Sequence, residues 1–468
     1  MPVYSSPGVY IEELRVFPPS IAAVETAIPA FIGPTQQANG PNGEDLTKKP
    51  TRITSLLEFE QLFGKAKVKA IEVDVVQTGA DVKVTFSTAL GLPDDFLYYS
   101  MQLFYANGGG PCYVVSTGKE PPAVAQADFT AAIDLLEGFD EPTLLVFPDA
   151  CRLDDTKHGK VVEHALSHCK KLKDRFAIID VRDAMPGKTD TNAKVTTNFR
   201  DKVAVDVDGL KYGAAYLPYI HTALPWMTAD TDVKIKSHKI GTVVGDIVAD
   251  TTLDTIKGTH TAVYNAVQQF VAAATVTLPP SGGVAGVYAR TDADRGVWKA
   301  PANATLQSVI EPAVKITEEE NGKLNIDATT GKSVNAIRAF VGKGTLVWGG
   351  RTLAGNDNEN RYVSVRRFLN FVEESIKKAI VAFVFEPNDA NTWAKVRSMI
   401  ESFLVRQWRD GALTGAKPDD AFYVSVGLNK TMTAQDILDG YMIVEIGMAI
   451  VRPAEFIVLR FAQMMQKS

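Results

Sequence analysis

Short apolar runs, each fenced by turn residues and separated by helical patterns, set the tightest limit on how this chain folds. GPCYVVST (110–117), PTLLVFPDA (142–150), RFAIIDV (175–181) and AAYLPYI (214–220) are such runs, and ETAIPAFIGPT (25–35) is an earlier one ending at Gly33-Pro34. Helical patterns over 125–137 and 157–172 lie between the middle runs. Apolar runs that alternate with helices read as buried strands of a mostly parallel sheet built from βαβ units. The crossovers of such units are right-handed. The predicted fold class is α/β, α+β overall. With 46% hydrophobic and 22% charged residues over 468 positions, the chain can bury about three ordinary domains, or one core with insertions.

Two stretches break the rhythm. Residues 66–90 alternate Val73/Val75 and Val82/Val84/Phe86 around a Thr-Gly-Ala-Asp turn, the pattern of a β-hairpin. Residues 227–279 are rich in Thr, Val, Asp and Lys; both stretches read as outward β-rich insertions. The last third is different again. Val365, Phe368, Val372, Ile376 and Ala379 recur at helical spacing over 361–383, and a second helix over 389–409 starts at Asp389, an N-cap residue type. Its apolar face is Trp393, Val396, Ile400, Phe403 and Leu404, while Lys395, Arg406 and Arg409 share another face. Strands are predicted at 422–427, 441–451 and 455–462.

Both extremities of the sequence read as strands fenced by proline. PGVYIEELRVFPPS (7–20) puts Val9, Ile11 and Glu13 on one side and Tyr10, Glu12 and Leu14 on the other, between Pro7-Gly8 and Pro18-Pro19. After Pro453, Ile457, Leu459 and Phe461 oppose Phe456, Val458 and Arg460. Neither has a strand partner nearby in sequence, and an unpaired strand edge is a liability.

Reactive chemistry is sparse. Gly342-Lys343-Gly344 fails as a dinucleotide loop at its last glycine, and Gly331-Lys332-Ser333 lacks the leading glycine of a phosphate loop. No GxSxG elbow occurs. Asp149 follows a predicted strand, where it serves either as a functional carboxylate or as a cap. His164 and His168 stand four apart on a predicted helix, a spacing that can place two imidazoles on one metal. These three residues define the alternative reading, a βαβ metal-dependent hydrolase. Three cysteines, Cys112, Cys151 and Cys169, without CxxC, read as reduced thiols. Residues 333–468 carry 17 Lys and Arg against 14 Asp and Glu, a formal +3, and the remainder 32 against 41, or −9. That balance lacks the dense basic stripe of a nucleic-acid binder. No apolar run reaches the roughly 18 residues of a membrane span. No basic and apolar leader pattern follows Met1-Pro2, which predicts assembly in the cytoplasm. The glycine-rich, then charged, stretch SGGVAGVYARTDADRGVWKAPAN (281–303) reads as a loop in which Arg290, Asp292, Asp294, Arg295 and Lys299 lock two domains together. Its Gly282, Gly283 and Gly286 let backbones approach.

PGVYIEE, AIPAFIG (27–33), VAGVYARTDADRGVWKAPAN (284–303), VWGGRTL (347–353), RYVSVRRFLNFVEESIKKAIVAFVFEPND (361–389) and GYMIVEIGMAIVRPAEFIVLRF (440–461) resemble the tail sheath proteins of contractile injection systems: myophage tails, R-type bacteriocins and extracellular injection particles. The resemblance weakens over 50–110 and 227–280. It implies a structural subunit, without enzymatic activity or cofactor, that polymerises helically around an inner tube and contracts. The implied layout is an N-terminal arm over 1–20, a core of 21–50 with 281–452, and an insertion over 51–110. An α/β middle domain over 111–226, an outer insertion over 227–280 and a C-terminal arm over 453–468 complete it. Both arms would be donated to neighbouring copies. Implied partners are other copies, sheath paralogues, an inner tube protein, baseplate and terminator proteins, with neither nucleic acid nor membrane. The particle would leave the cell by lysis. Lys395, Arg406 and Arg409 are candidates for facing the tube.

Overall fold

The structure, a computed structural model, describes residues 20–119, 124–184 and 192–460. The predicted strand Val9–Leu14 and residue Phe461 lie outside them. The chain divides into two compact units, one of residues up to Val24 with Val372–Val451, the other of Glu25–Phe371 with the residues from Arg452 on.

The larger unit is organised by a nine-stranded sheet. From one edge to the other its strands are Ala304–Thr305, Gly344–Val347, Val334–Phe340, Gly213–Leu217, Phe176–Asp180, Leu144–Val146, Pro29–Thr35, Cys112–Lys119 and Thr51–Ile53. The six from Val334–Phe340 to Cys112–Lys119 are parallel, and the remaining pairings at both edges are antiparallel. Every residue of Pro29–Thr35, Leu144–Val146, Phe176–Asp180 and Gly213–Leu217 is buried, which is why these runs carry no alternation. Pro29–Thr35 lies between Leu144–Val146 and Cys112–Lys119, so this sheet crosses the boundary expected between residues 21–50 and an α/β domain over 111–226. Helices Gln126–Leu135 and Asp155–Leu172 pack together as one cover, and Leu97–Ala106 with Ser281–Arg295 as another.

Ser281–Arg295 corrects the expectation of a loop. Its glycines mark a close helix crossing: a Cβ on Gly282 would stand 2.6 Å from the Ser100 carbonyl oxygen, and one on Gly286 2.5 Å from that of Phe104. Glycine costs a helix about 1 kcal/mol relative to alanine; here it lets two backbones approach to a distance no side chain would permit.

The hairpin of the first expected insertion and the first strands of the second form one sheet. Hairpin Ile71–Thr78/Asp81–Phe86 turns at Gly79, and Val233–Ile240 pairs parallel to Ile71–Thr78, with Val243–Val244 and Thr251–Thr252 alongside. Helix Thr261–Ala273 covers it, Phe270 meeting Phe86 at 4.5 Å between ring centroids. The hairpin alone would leave Ile71, Val73 and Val75 uncovered; all three are buried in the joint sheet.

The smaller unit holds the end of helix Val363–Ile380, helix Ala390–Arg409, and the antiparallel pair Phe422–Val426/Val444–Met448. The Asp389 carboxylate accepts from the Thr392 N–H at 2.9 Å, the cap expected from its residue type. Of the strand predicted over 455–462, residues 455–460 carry no strand, because a strand needs a ladder and the described residues supply no partner there. Among the described residues no helix is long and apolar enough to cross a membrane.

Candidate assembly surfaces

Residues 452–460 are rooted on the larger unit at Glu455. Arg351 donates to it from Nε at 2.9 Å and Nη2 at 2.6 Å, Asn325 from Nδ2 at 2.6 Å, and Tyr362 from its hydroxyl at 3.2 Å. Burial alone would push the Glu455 carboxyl up, but the Arg351 and Asn325 bonds, the Arg351 charge and the Tyr362 bond together hold it below its ordinary value. Immediately beyond, Phe456, Ile457, Val458 and Leu459 are 67–80% exposed. Burying one such side chain is worth about 1.5–3 kcal/mol. Four large apolar side chains in a row stand exposed at this position.

The smaller unit carries a two-stranded sheet with open edges. Phe422–Val426 and Val444–Met448 form a two-stranded sheet with Val424 and Val426 facing inward. A lone hairpin is marginal in water, and its outer edges carry free backbone groups. On its outer face the Tyr423 ring lies across Gly447, where a Cβ would stand 2.1 Å from a ring carbon, and its hydroxyl donates to Glu445 at 2.7 Å. Gly447 is therefore the seat of an aromatic ring.

The candidate locking residues part company. Asp292 accepts from Arg367 Nη1 at 2.9 Å and Nη2 at 2.5 Å and from the Thr26 hydroxyl at 2.7 Å, while Arg367 also donates to the Thr26 carbonyl at 2.8 Å and stacks over the Tyr288 ring. Helix Ser281–Arg295, helix Val363–Ile380 and the approach to strand Pro29–Thr35 thus meet at one buried ion pair. Arg290 donates to the Thr305 carbonyl at 2.6 Å. Asp294, Arg295 and Lys299 are exposed and form no ion pair among the described residues. Sequence reasoning missed Arg367, Arg351 and Glu455, whose partners lie 75 to 104 positions away.

Lys395, Arg406 and Arg409 are exposed on helix Ala390–Arg409, and Arg406 Nη2 donates to the Ile21 carbonyl at 3.0 Å within the smaller unit. The hydrolase residues do not converge. Asp149 is buried and accepts from the Phe96 N–H, just ahead of helix Leu97–Ala106, at 2.8 Å. Asp180, its carboxyl pushed up to about 7 by burial against bonds from Ser281, accepts from the Ser281 N–H at 2.8 Å at the start of Ser281–Arg295. His164 pairs with Asp134 at 2.7 Å, whereas His168 is buried beside Arg175. Burial first, then the Arg175 charge, lowers His168 to about 4. No group of three or more metal-ligating side chains forms among the described residues.

Residues 356–463 match the family described as phage tail sheath C-terminal domain. The tail sheath protein of Vibrio phage KVP40 is 27% identical over 130 residues, 27% of this chain and 19% of that protein, so the match spans about a fifth of that relative's length. Over the whole chain, the sheath of an extracellular contractile injection system (PVC, contracted state) is 31% identical with a TM-score of 0.66, covering 99% of both chains. A chain of the anti-feeding prophage baseplate is 31% identical with a TM-score of 0.65, covering 99% of this chain and 100% of its own.

Proposed function

This chain belongs to the contractile tail sheath family and is a structural sheath subunit, and from that premise we propose that it polymerises helically around an inner tube and contracts to drive the tube through a target envelope. The run Phe456–Leu459 carries the reading. An exposed apolar run, rooted at Glu455 and without a ladder among the described residues, fits an open hairpin edge of a neighbouring copy by β-augmentation. Residues 9–14 are the second donated strand. A head-to-tail contact of this kind that does not close generates an open helix of subunits. Contraction then requires two packings of the same subunits, the extended one kinetically trapped, and it asks for no catalytic site in this chain.

The partners on this reading are other copies of the chain, the inner tube, and baseplate and terminator proteins, with assembly in the cytoplasm before release. The likeness to a baseplate chain supports the baseplate contact. Residues 1–20 and 453–468 act as arms, and the joint sheet built from both insertions faces outward. The exposed basic residues Lys395, Arg406 and Arg409 grip the tube electrostatically, a contact that can break on contraction. The test is negative-stain microscopy of the purified chain beside versions lacking residues 1–19 or 453–468. Sheath-like tubes from the full chain and folded, non-polymerising particles from both truncations are expected; parental tubes from either truncation overturn the arm model.

A further inference from the structure

The turn joining helices Val363–Ile380 and Ala390–Arg409 holds an aromatic side chain fully out in solvent. Phe385 is 102% exposed at φ +70°, in the left-handed region that a bulky residue rarely occupies. The turn is built to keep it there: Val384 N–H donates to the Val381 carbonyl at 3.1 Å, Glu386 N–H to that of Phe383 at 3.1 Å, and Asp389 N–H to that of Pro387 at 3.0 Å. Val381 and Val384 are exposed beside it. A residue kept in a strained conformation, with its ring presented to water, points to a function outside the monomer.

The same chain carries a groove with an apolar part large enough for such a ring. A groove of about 530 Å³ lies in the larger unit beside residues 453–457. Ala300, Ala302, Gly349, Gly350 and Trp348 line one part of it, and polar side chains such as Lys299, Asn303, Glu318 and Asn321 line the rest. The first five belong to the two stretches GVWKAPAN and VWGGRTL. A phenylalanine buries about 150–250 Å² when it enters such a site. The groove also lies in the size range of well-formed pockets, ~300–1,000 Å³.

We propose that the Phe385 turn of one copy seats in the Ala300–Ala302/Gly349–Gly350 groove of a second copy, as a knob in a hole. The occupant is the same chain because knob and hole occur on it together, and because the groove continues along residues 453–457, the segment that the sheath reading hands to a neighbouring copy. Knob and hole differ, so the contact is heterologous and propagates instead of closing. This inference rests on the sheath reading and adds a second, apolar contact to the exchanged strands.

Phe385→Gly removes the ring and relaxes the backbone, since glycine is at ease at this φ. Its folded monomer is expected to melt at or above the parental temperature, with polymer yield falling at least tenfold. Ala302→Trp, which fills the groove from the other side, is expected to do the same. In Phe385→Cys/Ala302→Cys, oxidation of assembled sheath should give an intermolecular ladder on a non-reducing gel, absent from either single variant; the native cysteines are buried. Parental yield from Phe385→Gly, or assembled double-cysteine sheath without a ladder, overturns the knob while leaving the sheath reading standing. Failure of the parental chain to form tubes overturns both.

Discussion

Arg367 and Asp292 face each other through two hydrogen bonds, at 2.9 and 2.5 Å, with the two side chains 3% and 6% exposed. The pair holds helix Ser281–Arg295 to helix Val363–Ile380, and both partners also reach Thr26. Removing one member of a buried pair strands the other. Asp292→Ala should therefore destabilise the chain by about 3–5 kcal/mol. Replacing both, as Asp292→Ala/Arg367→Met, should cost less than Asp292→Ala and Arg367→Met summed. Denaturant midpoints of the four proteins check this.

The Arg351–Glu455 latch should be acid-sensitive. The folded carboxyl titrates below its ordinary 4.5, so the latch contributes fully above that pH and is lost as pH falls through the lowered value. Proteolysis within 453–460 should be slow at pH 7 and quicken as pH drops below about 4.5. Glu455→Gln should be cut rapidly at both pH values.

A second acid response should come from His158 and His168. Burial first, then Arg182 and Arg175 respectively, lowers each from 6.5 to about 4. The unfolded chain binds their protons at higher pH than the folded one, so stability present above pH 6.5 should decline as pH falls toward 4. Thermal melts of His158→Asn/His168→Gln should show a flatter profile over that window than the parent.

Gly286→Leu should disrupt the helix crossing, because any Cβ there meets the Phe104 carbonyl at 2.5 Å. Overpacking of this kind costs about 1–3 kcal/mol or more. A lowered melting temperature, with Gly322→Leu on the open helix Glu318–Asn325 as the mild control, checks it.

Charge reversal of Arg406 and Arg409 should weaken attachment to the tube without unfolding the helix, whose buried face is Val396, Met399, Ile400, Phe403 and Leu404. Sheath that assembles normally on tube despite both reversals would remove these residues from the contact.

The buried parallel strands were legible because a strand covered on both faces must be apolar throughout, as Phe176–Asp180 and Gly213–Leu217 are. Helices Val363–Ile380 and Ala390–Arg409 were legible from their period. Ser281–Arg295 was not: Gly282, Gly283 and Gly286 have low helix propensity, and the contact that repays them lies on a helix about 180 residues away. The pattern Phe456–Leu459 was read as a strand, yet a ladder is a property of two segments, and only one is present. Ion pairs such as Arg351–Glu455 leave no periodic trace at all.

Val233–Ile240 aligns along Ile71–Thr78 although the two are separated by more than 150 residues. This joint sheet is thus held by two tongues of chain, and neither can be trimmed without baring the other's apolar edge. Insertions or affinity tags in this sheet therefore belong at the Gly79 turn, where a side chain would meet open space, while shortened versions must remove both tongues together.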